Sequence, residues 1–113
     1  MVTKALVAAS SKPLILSILR GGESYGYEII QRVKELSGGE LEWADGMLYP
    51  VLHRLEKEEF ISSRWKLSEE GRRRKYYRLT QLGREEHQKE MKEWENISRI
   101  VKKSFQIEPV PNS

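Results

Sequence analysis

Apolar residues recur every three or four positions in the first half of this chain, which is the spacing of amphipathic helices. Ser11 is a candidate N-cap for a first helix, with Pro13 in its first turn. Ser24 is a candidate cap for a second helix, and Gly38-Gly39 is its candidate exit. The pattern predicts three helices, at about 12–20, 24–37 and 45–59.

The third predicted helix has one apolar face and one mixed face. Leu48, Val51, Leu52 and Leu55 stand at i, i+3, i+4 and i+7, which is a complete buried stripe. At about 100° per residue, the other side of the helix carries small, aromatic, imidazole and cationic groups. These exposed positions are Gly46, Tyr49, Pro50, His53, Arg54 and Lys57.

From Phe60 the hydrophobic period changes to two, which is typical of strands. The strands are predicted at 61–67 and at about 74–79, with the turn between them at 68–71. The second strand opens with a run of four cations, Arg72, Arg73, Arg74 and Lys75. This pattern predicts a two-stranded hairpin with a basic tip beside the third helix.

Helical spacing returns after Thr80, which is a candidate N-cap for a last helix to about residue 106. Its apolar stripe has nothing obvious to cover in a small core, so we expect it to pair with a second copy of the chain. The stripe consists of Met91, Trp94, Ile97, Val101 and Phe105, widened by Ile100. Residues 107–113, with two prolines, are expected to be disordered.

Composition sets limits on function. The chain has 113 residues and a formal net charge of +3, which favours anionic partners only weakly. The segment 72–78 carries five cations and no anion, whereas 84–95 carries five Glu against three cations, so positive charge is concentrated in the hairpin. The absence of Cys excludes disulfides and thiolate metal sites and fits the cytoplasm. No apolar run approaches the roughly 20 residues of a membrane span.

Three segments together resemble the PadR family of bacterial transcriptional regulators. They are Tyr25-Gly26-Tyr27-Glu28-Ile29, Leu48-Tyr49-Pro50-Val51-Leu52-His53-Arg54-Leu55-Glu56 and Gly71-Arg72-Arg73-Arg74-Lys75-Tyr76-Tyr77-Arg78-Leu79-Thr80. The resemblance implies an α+β, mostly α fold: a winged helix-turn-helix DNA-binding domain at 1–80 with a two-stranded β wing, a dimerisation helix at 81–106 and a tail at 107–113. The short C-terminal part resembles the compact branch of the family.

The resemblance implies a homodimeric repressor that binds a palindromic operator in double-stranded DNA. Tyr25 and Tyr27 would contact phosphates, and the cations from Arg72 to Lys75 would hold the DNA backbone. The third helix would enter the major groove, and its DNA-binding residues would be Gly46, Met47, Tyr49, Pro50, His53, Arg54 and Lys57.

The resemblance also implies release from DNA by a small effector, often a phenolic or other planar aromatic compound. Two Trp94 side chains across the dimer axis would stack on such a ligand, and Leu6 and Ile15 would line the same pore. A second interpretation gives Trp94 a purely structural role in the dimer core.

The chain departs from the family pattern at two places. Ala44-Asp45-Gly46-Met47 stands where many members have Ser-Pro-Gly-Thr, so a hydroxyl cap and a hydroxyl base contact are absent. Glu59-Phe60 replaces the commoner Gly-Leu, so the expected glycine exit from the third helix is missing. These changes leave the fold intact. The DNA sequences that other family members bind are, however, a weaker guide to the operator of this chain.

An enzymatic function has little support, because no nucleophile–base pair, phosphate loop or metal-spaced cluster appears in the sequence. No cofactor or metal is expected. Two alternatives to a DNA-binding regulator remain open: a winged helix that docks on another protein, and a dimer that only sequesters aromatic ligands. The basic hairpin argues against both, because clustered cations on a ribbon suit phosphate contact.

Overall fold

The structure, a computed structural model, describes residues 3–111. Helices and strands follow one another in the order α1 Lys4–Arg20, β1 Ser24–Tyr25, α2 Gly26–Leu36, α3 Asp45–Lys57, β2 Ile61–Leu67, β3 Arg73–Leu79 and α4 Gln81–Ser104. The three strands form one antiparallel sheet in the order β1-β3-β2. The predicted α+β class with a winged hairpin is confirmed.

Helix α1 begins eight residues earlier than the sequence pattern predicted. Thr3 is its N-cap, and the Thr3 hydroxyl accepts a hydrogen bond from the Leu6 amide at 3.3 Å. Ser11, the expected cap, lies inside the helix, where its hydroxyl donates to the Ala8 carbonyl at 2.9 Å. The prediction was wrong because Pro13 is tolerated within the helix instead of marking its first turn.

Strand β1 is a second departure from the prediction. Ser24 and Tyr25 pair with Tyr77 and Tyr76 of β3, so the sheet has three strands where the sequence pattern predicted two. Ser24 does not cap α2, because its hydroxyl donates to the Glu28 carboxylate at 2.6 Å and Tyr25 occupies the cap position. A strand of two residues has no periodicity that the sequence could reveal.

The hairpin has the two predicted strands and the predicted turn. Strands β2 and β3 pair from Ile61 opposite Leu79 to Leu67 opposite Arg73. Gly71 has a φ of 80°, a left-handed conformation that glycine adopts without strain. Alternation along β3 buries Tyr77, and this burial raises the pKa of its hydroxyl to about 12. The hairpin is therefore anchored in the core at its base and exposed at its tip.

The core lies between α1, α2, α3 and the base of the sheet. Leu48, Leu52 and Leu55 of α3 are buried and Val51 packs partly against the same cluster, which confirms the predicted stripe. Trp43 is also buried, although it lies between the second and third predicted helices. The remaining buried apolar residues are Ile15, Leu16, Ile18, Leu19, Ile29, Val33, Ile61, Tyr77 and Leu79.

Helix α4 joins the core only at its beginning. Thr80 is its N-cap, as predicted, and the Thr80 hydroxyl accepts from the Gly83 amide at 3.0 Å. Gly83 lies so close to the Phe60 carbonyl that an added Cβ would be 1.9 Å from that oxygen. His87 is the last buried residue of α4, and its Nε2 lies 2.9 Å from the Ser17 hydroxyl. Beyond Glu90 every residue of α4 is exposed.

Two charged contacts secure this first part of α4 against α1. Lys12 forms an ion pair with Glu86 at 2.5 Å and lies 3.8 Å from Glu90. Burial lowers the pKa of Lys12, but the hydrogen bond to Glu86 and the nearby carboxylates outweigh it, so the pKa is raised overall. The junction between α1 and α4 is therefore held by both packing and charge.

Helix α3 ends without the glycine that the family pattern favours. Glu59 takes the left-handed conformation itself, with a φ of 66°, and its carbonyl accepts a hydrogen bond from the Thr80 hydroxyl at 2.6 Å. A residue with a Cβ is strained in this region by about 1–2 kcal/mol. Glycine would be unstrained there. It would also lower the stability of the fold by about 0.5–1 kcal/mol, because it gives the unfolded chain more conformational freedom.

Replacing Glu59 with Gly should therefore stabilise the protein by up to about 1 kcal/mol. Glu58 provides a matched control, because it has an ordinary φ of −79° and the same charge. Glu58→Gly should destabilise the fold by about 1 kcal/mol. Urea unfolding of both variants measures the difference, and equal destabilisation by the two substitutions would show that Glu59 is not strained.

Candidate nucleic-acid interface

A concave surface lies between the start of α2, helix α3 and the hairpin, with a volume of about 730 Å³. We call it the wing cleft. Its lining is aromatic and cationic, and consists of Tyr25, Gly26, Tyr27, Tyr49, Trp65, Arg72, Arg73, Arg74, Lys75 and Tyr77. Seven residues that the sequence analysis assigned to DNA contact thus lie around one surface.

Aromatic rings position the hairpin cations. The Arg74 guanidinium lies 4.3 Å from the Tyr25 ring centre, and Arg73 lies 5.3 Å from that of Trp65. Tyr25 in turn packs edge-on against Tyr76, with ring centres 5.4 Å apart. Such cation–ring contacts contribute about 0.5–1 kcal/mol each at exposed sites. They restrict the long side chains, so less conformational entropy is lost when these cations bind an anion.

The cations of the hairpin differ in how strongly neighbouring acids neutralise them. Lys75 lies 3.9 Å from Glu56, and Arg74 lies 3.8 Å from Glu70. Arg72 and Arg73, by contrast, take part in none of the ion pairs found among residues 3–111. Both are exposed. The uncompensated positive charge is therefore greatest at the tip.

Helix α3 contributes Tyr49 to the wing cleft and presents an exposed outward face. Gly46, Pro50, His53 and Lys57 are all exposed, as predicted. Arg54 is exposed too, and its Nε lies 3.8 Å from the Glu58 carboxylate one turn further on. Because an exposed pair of this kind is weak, Arg54 exchanges Glu58 for another anion at little cost.

Two residues assigned to the α3 contact surface have a more complex environment. Met47 is half-buried and packs against the core, so only part of its side chain is accessible to DNA. Tyr49 is 44% exposed, and its hydroxyl lies against Gly26, where an added Cβ would be 2.4 Å away. Gly26 at the start of α2 therefore leaves space for the Tyr49 ring.

Sequence reasoning did not single out Trp65 or Gly26 as part of this surface. Trp65 is 57% exposed and pairs directly across the hairpin with Lys75. The predicted alternation put Trp65 on the same strand face as Ile61, which suggested a buried ring. The pairing of Trp65 with a cation across the hairpin could have indicated its role, but this pairing can be recognised only once the register of the hairpin is known.

The proposed dimer and effector residues occupy a different part of the molecule. The apolar stripe of α4 is exposed: Met91 41%, Trp94 40%, Ile97 50%, Val101 42% and Phe105 77%. Leu6 on α1 is 59% exposed, but Ile15 is fully buried in the core of the protomer. Ile15 cannot line a pore in this conformation, because its helix turns it toward the protomer's own core, so that assignment was wrong.

A small cavity of about 250 Å³ adjoins Trp94 where α4 leaves α1. Ser17, His87, Glu90 and Glu95 contribute its polar lining. One carboxylate oxygen of Glu90 is buried without a hydrogen-bond partner in the described part of the chain. Burial raises the pKa of Glu90, and burial together with the nearby Arg20 charge lowers the pKa of His87.

Two other kinds of site find no support within residues 3–111. No group of three or more His, Cys, Asp or Glu side chains there could hold a metal ion. None of the helices in that range is long and apolar enough to cross a membrane.

Helices α2 and α3, the hairpin that follows them and the exposed basic surface define a winged helix-turn-helix protein. The family model for the transcriptional regulator PadR-like family matches residues 15–89. The chain therefore belongs to the PadR-like family of transcriptional regulators, as the sequence motifs indicated.

Individual relatives support this assignment. A PadR-like transcriptional regulator from Bacillus cereus has a TM-score of 0.82 and 30% identity, over 93% of this chain and 100% of its own. A PadR family transcription regulator from Clostridium difficile has a TM-score of 0.77 and 34% identity, over 85% of this chain and 98% of its own. The negative transcriptional regulator PadR of Bacillus subtilis is 32% identical over 85% of this chain, which spans only 53% of that relative's length.

Proposed function

We propose that this chain is a sequence-specific DNA-binding repressor that acts as a homodimer. The observation that carries the proposal is the wing cleft, where uncompensated arginines share one surface with Tyr49 of α3. A helix that presents polar groups beside a basic ribbon suits a duplex, since base edges and phosphates lie next to each other in its grooves. Membership of a regulator family supports the same conclusion.

In this proposal the two parts of the surface have different tasks. Tyr49, Pro50, His53 and Arg54 face the major groove and discriminate between base sequences. Arg72 and Arg73 bind phosphate oxygens without regard to sequence. Tyr27, which is 65% exposed in the first turn of α2, adds a hydroxyl donor at the positive end of that helix.

Dimerisation through α4 accounts for the exposed stripe. Five large apolar side chains on one face of a helix are unfavourable in water, and a second copy of the helix covers them by twofold symmetry. A twofold dimer also favours a palindromic operator, whose half-sites are roughly 34–36 Å apart if each α3 enters successive major-groove turns.

A small planar aromatic effector would act at Trp94. This ring is 40% exposed and adjoins the cavity that contains Glu90 and His87. A flat ligand that stacks on Trp94 would gain apolar contact, and a donor on that ligand would satisfy the unpartnered Glu90 oxygen. Binding there would loosen the operator complex by changing how α4 pairs with its twin.

Two other functions would use the same fold. A protein-docking winged helix would not need uncompensated arginines at the hairpin tip, and a ligand-sequestering dimer would not need the exposed α3 face. Both are disfavoured by the wing cleft. The cytoplasm remains the predicted location.

Replacing Arg72 and Arg73 with Gln should weaken binding to operator and random DNA about equally. The salt dependence of the affinity should flatten by about one unit of slope for each phosphate contact that is lost. Fluorescence anisotropy at several salt concentrations measures both effects.

A matched control is Lys89→Gln with Lys92→Gln, which removes two exposed charges from α4. For this variant, the slope of DNA affinity against salt concentration should differ from the wild-type slope by less than about half a unit. If both double variants flattened the slope equally, net charge and not the wing cleft would govern the affinity.

Replacing Ile97 with Lys should weaken the dimer at least about tenfold, because it buries a charge in the proposed interface. Asn96→Lys adds the same charge away from the stripe and should leave the dimer intact. Sedimentation velocity at several concentrations distinguishes monomer from dimer. A wild-type monomer would contradict the proposed dimer, and an Ile97→Lys dimer as tight as the wild type would place the interface elsewhere.

A further inference from the structure

A second basic cleft lies at the base of the hairpin, whereas the wing cleft includes the hairpin tip. The second cleft has a volume of about 500 Å³ and is formed where α1 ends, β1 begins, β3 ends and α4 begins. Three arginines from three different helices and strands line it: Arg20, Arg78 and Arg84. We call it the arginine cleft.

The arginine cleft is separate from the proposed DNA surface. Successive residues of a strand point to opposite faces of a sheet, so Arg78 faces away from its buried neighbour Tyr77. Tyr77 lines the wing cleft, whereas Arg78 lines the arginine cleft. The two clefts share no lining residue.

The three guanidinium groups lack acidic partners. None of them takes part in an ion pair among residues 3–111. Arg78 donates through Nε to the Ser62 hydroxyl at 3.3 Å, which fixes its plane, and Arg20 donates to the Met91 sulfur at 3.8 Å. All three side chains are exposed, so they are accessible to a ligand.

The one acid that lines the arginine cleft is already engaged. The Glu23 carboxylate accepts a hydrogen bond from Lys66 and lies 3.4 Å from Arg64. These contacts, with the Lys66 hydrogen bond foremost, lower the pKa of Glu23, so it stays ionised and bound to the hairpin. The net charge of the cleft is consequently positive.

The start of α4 adds to this field. Thr80 and Gln81 line the cleft, and they are the N-cap and first residue of a helix of 24 residues. The positive end of the helix dipole and its unpaired amide groups favour an anion at this point. Guanidinium groups prefer phosphate because they donate two parallel hydrogen bonds to its oxygens.

We infer that the arginine cleft binds a small phosphorylated molecule through Arg20, Arg78 and Arg84. Its volume is in the range that small-molecule sites occupy. The ligand would link the base of the hairpin to the start of α4, and thus connect the surface that reads DNA to the helix proposed to dimerise. The inference does not rest on the proposed function, because binding is measured without DNA.

Isothermal titration of the full chain with inorganic pyrophosphate in low-salt buffer tests the inference. One pyrophosphate should bind per chain, and Arg78→Gln with Arg84→Gln should weaken that binding at least about tenfold. Lys89→Gln with Lys92→Gln is the matched control and should stay within about twofold of the wild type. Equal affinities for the two double variants would overturn the inference.

Two further measurements keep the test decisive. Arg84→Gln alone removes an exposed side chain that makes no hydrogen bond within residues 3–111, so it should fold normally and still weaken pyrophosphate binding about threefold or more. The salt slope of DNA binding should be unchanged in Arg78→Gln with Arg84→Gln. A slope reduced by about one unit or more would assign these arginines to the DNA backbone and overturn the inference.

Discussion

The structure depends on the burial of one face of α3. Leu48, Leu52 and Leu55 are almost completely excluded from water, and together they fix the rotation of the helix about its axis. Only one rotation of the helix about its axis buries this apolar stripe, so the residues on the opposite side must face outward. His53 and Lys57 are exposed for this reason, and not because of any contact that they make themselves. A substitution in the core would therefore change the orientation of the candidate DNA surface, although no residue of that surface is replaced.

The hairpin depends on the same core through its base. Tyr77 and Leu79 of β3 are buried, and the Thr80 hydroxyl links the end of α3 to the start of α4. From this anchor the strands extend to a tip where aromatic rings support the cations. The orientation of Arg73 over Trp65 is consequently set by strand register, since each residue on β3 has a fixed partner on β2.

The sequence predicted the elements that have a strong period and missed those that do not. The α3 stripe, both hairpin strands and the Thr80 cap follow from spacing or from a single capping residue. Strand β1 is too short to show a period, and the early start of α1 was hidden because Pro13 suggested a helix start. Trp43 illustrates a third limit, since its burial comes from tertiary packing that no local pattern records.

The candidate site shows the same division. The cations at 72–75 and the exposed face of α3 could be located from sequence, because charge runs and helical faces are local properties. The grouping of Tyr25, Tyr49 and Trp65 around one cleft could not, because it requires β1 to pair with β3 and Gly26 to leave space for a ring. The prediction that Ile15 lines a pore was wrong because the sequence does not show whether an apolar residue of this helix faces the core or the surface.

The central claim is that α3 and the hairpin of a dimer read DNA sequence together. Selection of bound fragments from random duplex DNA by the full chain tests this claim most directly. The account predicts an enriched palindrome whose half-sites are centred about 10 base pairs apart. Recovery of fragments with no shared sequence, at an affinity no greater than that for random DNA, would contradict it.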